Sequence, residues 1–329
     1  MNYHYFIKKD TVDDLMYETF KSCKTGGSII ESTRGENKKI KELVDAKLVL
    51  TNPLSRLSIS GTRSTPYSAI GELFWYLSGS NELEFIEYYI SLYRKESEDN
   101  ETVTGAYGPR IMGVESINQL ENIISLLRRR EASKKAVIQI YEKKDLDEHI
   151  KKKHNSVPCT LTLQFLVRNS KVDMIVNMRS NDIIYGLPHD IFAFTMMQEI
   201  IARSIDKELG VYIHNVGSLH YYTEMEAIIN DYMYEGYHST LLGEMPRMPS
   251  NTYHILPKLL DTEAQIRKGL NVDLDKLNLD DYWHDILLLL KCFKHFNLRE
   301  KESFFREKEK FQIELFKKLT DIKTHILSQ

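Results

Sequence analysis

Cys159 sits in Val157-Pro158-Cys159-Thr160 at the mouth of an alternating strand, with Arg179-Ser180-Asn181-Asp182 and Gly186-Leu187-Pro188-His189-Asp190-Ile191 downstream. A thiol, an arginine and two carboxylates so spaced are the parts of a site that attacks an electron-poor ring of a phosphorylated molecule. The thiolate is the nucleophile, and nearby positive groups favour it. Arg179 comes beside Cys159 if the turn at residues 168–171 pairs their two strands. Arg34 lies in a loop flanked by Thr33 and Gly35 and suits bidentate contact with a phosphate. Alone, a cysteine is more often a packing residue and an arginine a surface ion partner. The combination is what points to chemistry.

The elements that must position these groups can be read from periodicity. Residues 160–168 and 171–178 alternate as strands; Val172, Met174, Val176 and Met178 share one face. Residues 191–204 are apolar nearly all round, the mark of a buried helix. Helical spacing also covers 11–24, 66–92 with a break near Gly79, and 115–130. Strands are expected at 136–141 and 211–222. The stretches 94–102 and 143–153 read as solvated excursions, and from about residue 281 the Leu- and Lys/Glu-rich sequence reads as two appended helices. The runs at Arg128-Arg129-Arg130 and at Lys143, Lys144, Lys151, Lys152 and Lys153 are interleaved with acids and read as solvated faces, so nucleic acid is not expected as a partner.

Composition excludes more than it selects. The 329 residues are 42% apolar and 28% charged with net charge −3, which gives no global attraction to nucleic acid or anionic membrane. Three scattered cysteines, Cys23, Cys159 and Cys292, fit a reducing compartment and offer no metal-ligand spacing. The start, Met1-Asn2-Tyr3-His4-Tyr5, lacks a signal-peptide pattern, and the apolar run at residues 286–290 is too short to span a bilayer. A soluble, cytoplasmic protein is expected.

The segment from Cys159 to Tyr222 resembles the thymidylate synthase family, which shows Pro-Cys, Arg-Ser-x-Asp, Gly-x-Pro-x-Asn-Ile and Gly-Asp-x-His-x-Tyr in this order. The last appears here as Gly217-Ser218-Leu219-His220-Tyr221-Tyr222. Upstream, Thr33-Arg34-Gly35 resembles the family's phosphate loop. Glu72-Leu73-Phe74-Trp75-Tyr76-Leu77-Ser78-Gly79 resembles its Glu-Leu-x-Trp-x-Leu-x-Gly helix, Tyr107-Gly108-Pro109-Arg110 its Tyr-Gly motif, and Ser133-Lys134-Lys135 its Ser-Arg-Arg. The likeness spans roughly residues 30–255.

The resemblance implies an α/β (α+β) protein with a large mixed, mostly antiparallel sheet flanked by helices, in a homodimer packed sheet to sheet. It implies a catalytic domain over 1–280, leaving 281–329 as a helical extension. Cys159 would attack C6 of a pyrimidine nucleoside monophosphate, whose C5 then captures a one-carbon unit from 5,10-methylenetetrahydrofolate. Glu72 would manage water and protons, and Tyr107 would assist near C5. Arg34, Arg179 and Ser180, with Lys134 and Lys135 from the other subunit, would hold the phosphate. His220 and Tyr222 would bind the sugar hydroxyl; Asp182, Gly186 and Tyr93 would meet the folate. No metal is expected.

Departures from the family pattern refine this. The asparagine that reads the uracil edge is Asp190 here. A carboxylate only accepts, while a carboxyl sharing one proton can bridge N3 and the 4-amino group of cytosine. Thr160 replaces the usual histidine after the nucleophile, no tryptophans occur near Leu92-Tyr93-Arg94-Lys95-Glu96, and residues 281–329 do not resemble the synthase tail that closes over the folate. These departures favour addition of water over hydride at C5. The expected activity is therefore 5-hydroxymethylation of a cytidine monophosphate, dCMP ahead of CMP. The alternatives are a divergent thymidylate synthase methylating dUMP and an inactive nucleotide-binding homologue.

Overall fold

The computed structural model describes residues 5–32, 38–62, 64–113, 117–152, 156–236 and 243–328. Arg34 with its loop, and Lys153, lie outside the described residues. In chain order the elements are β1 (Tyr5–Lys9), α1 (Val12–Gly26), β2 (Ser28–Glu31), β3 (Lys39–Leu50), α2 (Pro66–Ser78), α3 (Leu83–Tyr89), α4 (Gly108–Met112), α5 (Gln119–Arg129), β4 (Val137–Gln139) and α6 (Lys143–Lys152). There follow β5 (Thr160–Arg168), β6 (Lys171–Asp182), α7 (Leu187–Ser204), β7 (Glu208–Tyr222), α8 (Glu226–Glu235), α9 (Thr252–Arg267), α10 (Asp281–Asn297), α11 (Lys301–Lys308), α12 (Glu314–Lys318) and α13 (Asp321–Ser328).

The strands form one seven-stranded sheet in the order β1-β3-β7-β6-β5-β4, with β2 added beside β3. Pairs β1–β3 and β6–β7 are parallel and the rest antiparallel, so the sheet is mixed and mostly antiparallel. The β5–β6 hairpin turns through Asn169 and Ser170, whose φ values of 50° and 58° give the two left-handed residues that a two-residue hairpin turn needs. Its register pairs Arg168 with Lys171 and Thr160 with Met178, which brings Cys159 and Arg179 side by side at the open end.

One face of the sheet is the core. Val172, Met174, Val176 and Met178 of β6 and Tyr212, His214 and Val216 of β7 are buried beneath α7, itself buried from Leu187 to Ala202. Helix α2 packs on α7; Pro66 at its first turn presets φ, and Gly79 (φ 73°) closes it in a left-handed cap. The opposite face is only part-buried. Across it Asn177 donates to Thr162 Oγ1 at 3.1 Å and Asn215 to Asn177 Oδ1 at 3.0 Å, leaving Asn215 Oδ1 without a hydrogen-bond partner among the described residues.

Three sequence expectations changed. Residues 143–152 form helix α6 rather than an excursion, because Asp145 is buried in a bidentate pair with Arg110 at 2.7 Å. Arg128 is not merely solvated: its guanidinium donates to the Ser204 carbonyl at the C-terminus of α7. The segment 281–328 gives four helices, not two, since the chain breaks at Arg299 (φ 58°), again before residue 314 and once more at residues 319–320. The first of them, α10, packs on α2 and α9 with Leu287, Leu288, Leu289 and Leu290 fully buried. Buried Asp285 then accepts from the amides of Gln312 and Ile313 at 2.9 and 2.7 Å, tying the next loop down. Among the described residues no helix is long and apolar enough to cross a membrane.

Candidate active site

The nucleophile candidate is set apart from the other thiols by its surroundings. Cys23 and Cys292 are buried, and burial pushes both thiols up to about 12, so neither is a thiolate at neutral pH. Cys159 is partly exposed and precedes β5. Arg179 frames it from β6. Its main-chain amide donates to the Cys159 carbonyl at 2.9 Å, and its guanidinium donates to the carbonyls of Pro158 at 3.0 Å and Val157 at 2.8 Å. One exposed cation therefore fixes the backbone leading into the thiol and sits beside it. Ser180 follows, opposite Ser218 on β7.

Behind the thiol lies a wall of aromatic hydroxyls. The Tyr107 ring stacks between Tyr76, at 5.0 Å, and Phe194, at 6.4 Å. Its hydroxyl accepts from the Thr160 amide at 3.2 Å and meets the Thr160 hydroxyl at 3.1 Å. Burial raises the Tyr107 hydroxyl most, and Asp190 and then Cys159 add to it electrostatically. Thr160, fully buried, thus occupies its position as the anchor of Tyr107.

Glu72 points into the same interior from α2 and is 5% exposed. The Tyr93 hydroxyl donates to Glu72 Oε1 at 2.5 Å, and Tyr76 is a second hydroxyl partner. Burial lifts the Glu72 carboxyl to about 7, against which the two hydroxyls pull it down. A carboxyl poised there can take or give a proton at neutral pH. Tyr93 lies edge-on to Trp75, and its hydroxyl is spent on Glu72.

Asp190, in the first turn of α7, is 7% exposed. Burial first, then the neighbouring Glu72, raises its carboxyl well above the usual range; Asn181, donating to Oδ2 at 3.0 Å, opposes this. Burial and Glu72 both favour the neutral acid over the acceptor-only carboxylate. Asp182 ends β6, and its Oδ1 accepts from the amides of Ile184 and Tyr185 at 2.7 and 2.6 Å, shaping the turn into Gly186. A Cβ at Gly186 would stand 2.5 Å from Asn181 Oδ1, so only glycine leaves the carboxamide its place.

His220 and Tyr222 close the far end of β7, where His220 pairs with Asp182 across the sheet and the two rings meet edge to face at 5.8 Å. Lys134 and Lys135 stand exposed at the approach to edge strand β4. The structure therefore gathers Cys159, Arg179, Tyr107, Glu72, Tyr93 and Asp190 in one cluster, with Ser180, Asp182, Gly186, His220 and Tyr222 on its β6–β7 rim. Arg34 is outside the described residues. Sequence reasoning missed Tyr76 and the inward residues Asn181, Tyr212 and His214. The signal for the last two was polar side chains at alternate positions of an otherwise apolar strand face. Among the described residues no group of three His, Cys, Asp or Glu could hold a metal.

Comparison with known proteins follows the same lines. The family model for thymidylate synthase matches residues 32–286. A deoxyuridylate hydroxymethyltransferase of Delftia phage PhiW-14 is 29% identical over 223 residues, covering 64% of this chain and 58% of that protein. A thymidylate synthase of Bacillus phage phi3T is 27% identical over 164 residues, covering 47% and 57%. The match thus spans little more than half the length of these relatives. The solved thermostable thymidylate synthase A from Bacillus subtilis superposes with a TM-score of 0.55 at 20% identity, covering 68% of this chain and 84% of that one. By sequence match and by fold, the chain belongs to the thymidylate synthase family.

Proposed function

We propose that the protein 5-hydroxymethylates a cytidine monophosphate, dCMP ahead of CMP, with methylenetetrahydrofolate as co-substrate. The observation that carries the base choice is Asp190, buried and held by Asn181, where burial raises its carboxyl well above the usual range and so favours the neutral acid. A neutral carboxyl presents O–H and C=O side by side, matching the bare N3 and the 4-amino group of cytosine. N3 of cytosine is basic and can draw that proton towards itself, which withdraws electrons from the ring and eases thiolate addition at C6. N3 of uracil already carries a hydrogen and cannot.

The remaining roles follow from position. Cys159 adds to C6, with Arg179 and Ser180 at the phosphate; Arg34 and, from a second subunit, Lys134 and Lys135 complete that site. His220 and Tyr222 hold the sugar. Tyr107 stands near C5, and Glu72, with its carboxyl at about 7, serves as base for a water molecule. The half-buried Asp182 carboxylate, pinned by two amides, is a matching acceptor for pterin N–H groups, and Gly186 and Tyr93 are the other residues that would meet the folate. Bound there, methylenetetrahydrofolate supplies the one-carbon unit that ends on C5. A homodimer fits the part-exposed second face of the sheet, where Asn215 Oδ1 lacks a partner among the described residues.

Asp190→Asn tests the base choice. A carboxamide cannot hand a proton to N3 but can rotate to offer N–H to O4 of uracil. The ratio of kcat/KM for dCMP over dUMP should fall at least about tenfold, by loss on the first and gain on the second. A wild type that already prefers dUMP would refute the cytidine reading, leaving a synthase-like activity on dUMP as the account.

A further inference from the structure

Behind Asp190 runs a buried polar chain that the reaction scheme does not use. The Asn181 carboxamide nitrogen lies 3.0 Å from Asp190 Oδ2, 2.9 Å from His214 Nε2 and 3.1 Å from Met178 Sδ. Its two hydrogens go to the carboxyl oxygen and the ring nitrogen, because a thioether is the weak acceptor of the three. The other ring nitrogen, Nδ1, is 2.6 Å from the Tyr212 hydroxyl. His214 and Tyr212 are fully buried, and Asn181 is 3% exposed. Burial lowers His214 to about 3, so the ring is neutral and carries one hydrogen. With Nε2 accepting from Asn181, that hydrogen is on Nδ1 and is donated to the Tyr212 oxygen. The direction of every bond in the chain is then set, and it ends as an N–H aimed at Asp190 Oδ2.

That direction matters because a neutral carboxyl is by itself ambiguous. With the proton on one oxygen it complements cytosine; with the proton on the other it complements uracil in the same pose. A carbonyl oxygen accepts better than a hydroxyl oxygen, so the Asn181 N–H keeps Oδ2 as the carbonyl and leaves the proton on Oδ1. We infer that Asn181, backed by His214 and Tyr212 and given room by Gly186, is the positioning residue that fixes Asp190's proton on Oδ1 and so makes the acid selective for cytosine. Oδ1–H then donates to N3, while Oδ2 accepts from the 4-amino group. Leaving such a pair mismatched strands buried polar groups, which is how hydrogen-bonding sites discriminate. Glu72 and Tyr76 from α2, Tyr107 ahead of α4 and Tyr212 from β7 also face Asp190 electrostatically. None of them is hydrogen-bonded to it among the described residues.

The inference rests on Asp190 reading the base, and the test separates the two. Equilibrium binding of dCMP and dUMP to the full chain would be measured by calorimetry for wild type, Asn181→Ala, Gly186→Ala and Tyr212→Phe. Asn181→Ala should bind dUMP about tenfold more tightly while dCMP changes by less than about threefold, because the freed acid can carry its proton on either oxygen. Gly186→Ala, which displaces the carboxamide, should act likewise. Tyr212→Phe removes one hydroxyl and keeps the ring, so it should fold and shift the preference the same way by about threefold. A gain for dUMP is something a merely structural role would not produce. Equal weakening of both ligands, or an unchanged preference in Tyr212→Phe, would overturn the inference while leaving Asp190's role intact. A wild type without preference for dCMP would instead remove the base reading, and the inference with it.

Discussion

Arg179 donates its Nε to the carbonyl of Pro158 at 3.0 Å while its own main-chain amide donates to the carbonyl of Cys159 at 2.9 Å. The hairpin register that pairs Thr160 with Met178 makes both contacts, so the strand pairing itself brings the cation beside Cys159. Arg179→Lys should lose more than phosphate affinity, because a single ammonium cannot hold the Pro158 and Val157 carbonyls in one plane. The expected result is a fall in kcat of about tenfold or more at saturating nucleotide. A change confined to KM would reduce Arg179 to a phosphate ligand.

Cys159→Ser should abolish both product formation and release of tritium from C5 of the nucleotide, by about a thousandfold or more, with nucleotide binding largely kept. Substantial residual release would take the thiol out of its assigned role.

Tyr93 lowers the Glu72 carboxyl through the 2.5 Å hydrogen bond, against the larger upward effect of burial. Tyr93→Phe should therefore move the pH midpoint governed by Glu72 above 7, by about one pH unit, in the kcat/KM profile. An unmoved midpoint would mean that Glu72 is not the group being titrated.

The same carboxyl sets a stability trend. Its folded value, about 7, lies above the unfolded 4.5, so the folded state binds more protons between them. The contribution is fully present below about pH 4.5 and is lost as pH rises through about 7, on the order of 3 kcal/mol in all. Asp190, raised by burial and by Glu72, adds in the same direction. Denaturant unfolding followed from about pH 5 to about pH 8 should show wild type losing stability and Glu72→Gln losing clearly less. Parallel curves for the two would contradict the assignment.

Helix α10 is part of the body that seats α2, with Leu288 fully buried. Leu288→Ala should cost about 2–5 kcal/mol in chemical unfolding. A cost within about half a kcal/mol would show that the helix contributes little to the domain beneath it.

The hairpin was legible because Thr160–Arg168 and Lys171–Met178 alternate cleanly, and α7 because it is apolar on all sides. Strand β3 was not. Its alternation is interrupted by Glu42, Val44 and Asp45, the last at φ 60°, and only pairing with β1, β2 and β7 makes it a strand. Helix α6 was hidden because its stability comes from one distant partner, Arg110, rather than from an apolar stripe. In the site, the motif residues carried their own spacing, but what sets their protonation did not. Neither the Tyr93 hydroxyl turned onto Glu72 nor the chain from Tyr212 through His214 and Asn181 to Asp190 follows from spacing, since each joins residues far apart in sequence.

Incubating the full chain with methylenetetrahydrofolate and, separately, dCMP, CMP, dUMP and UMP, and reading each nucleotide and the spent folate by mass spectrometry, decides between hydroxymethylation of cytidylate and methylation of dUMP. A 5-hydroxymethyl product should form from dCMP first and CMP second, with tetrahydrofolate released in equal amount. A 5-methyl product from dUMP, accompanied by stoichiometric dihydrofolate, would contradict the cytidylate reading.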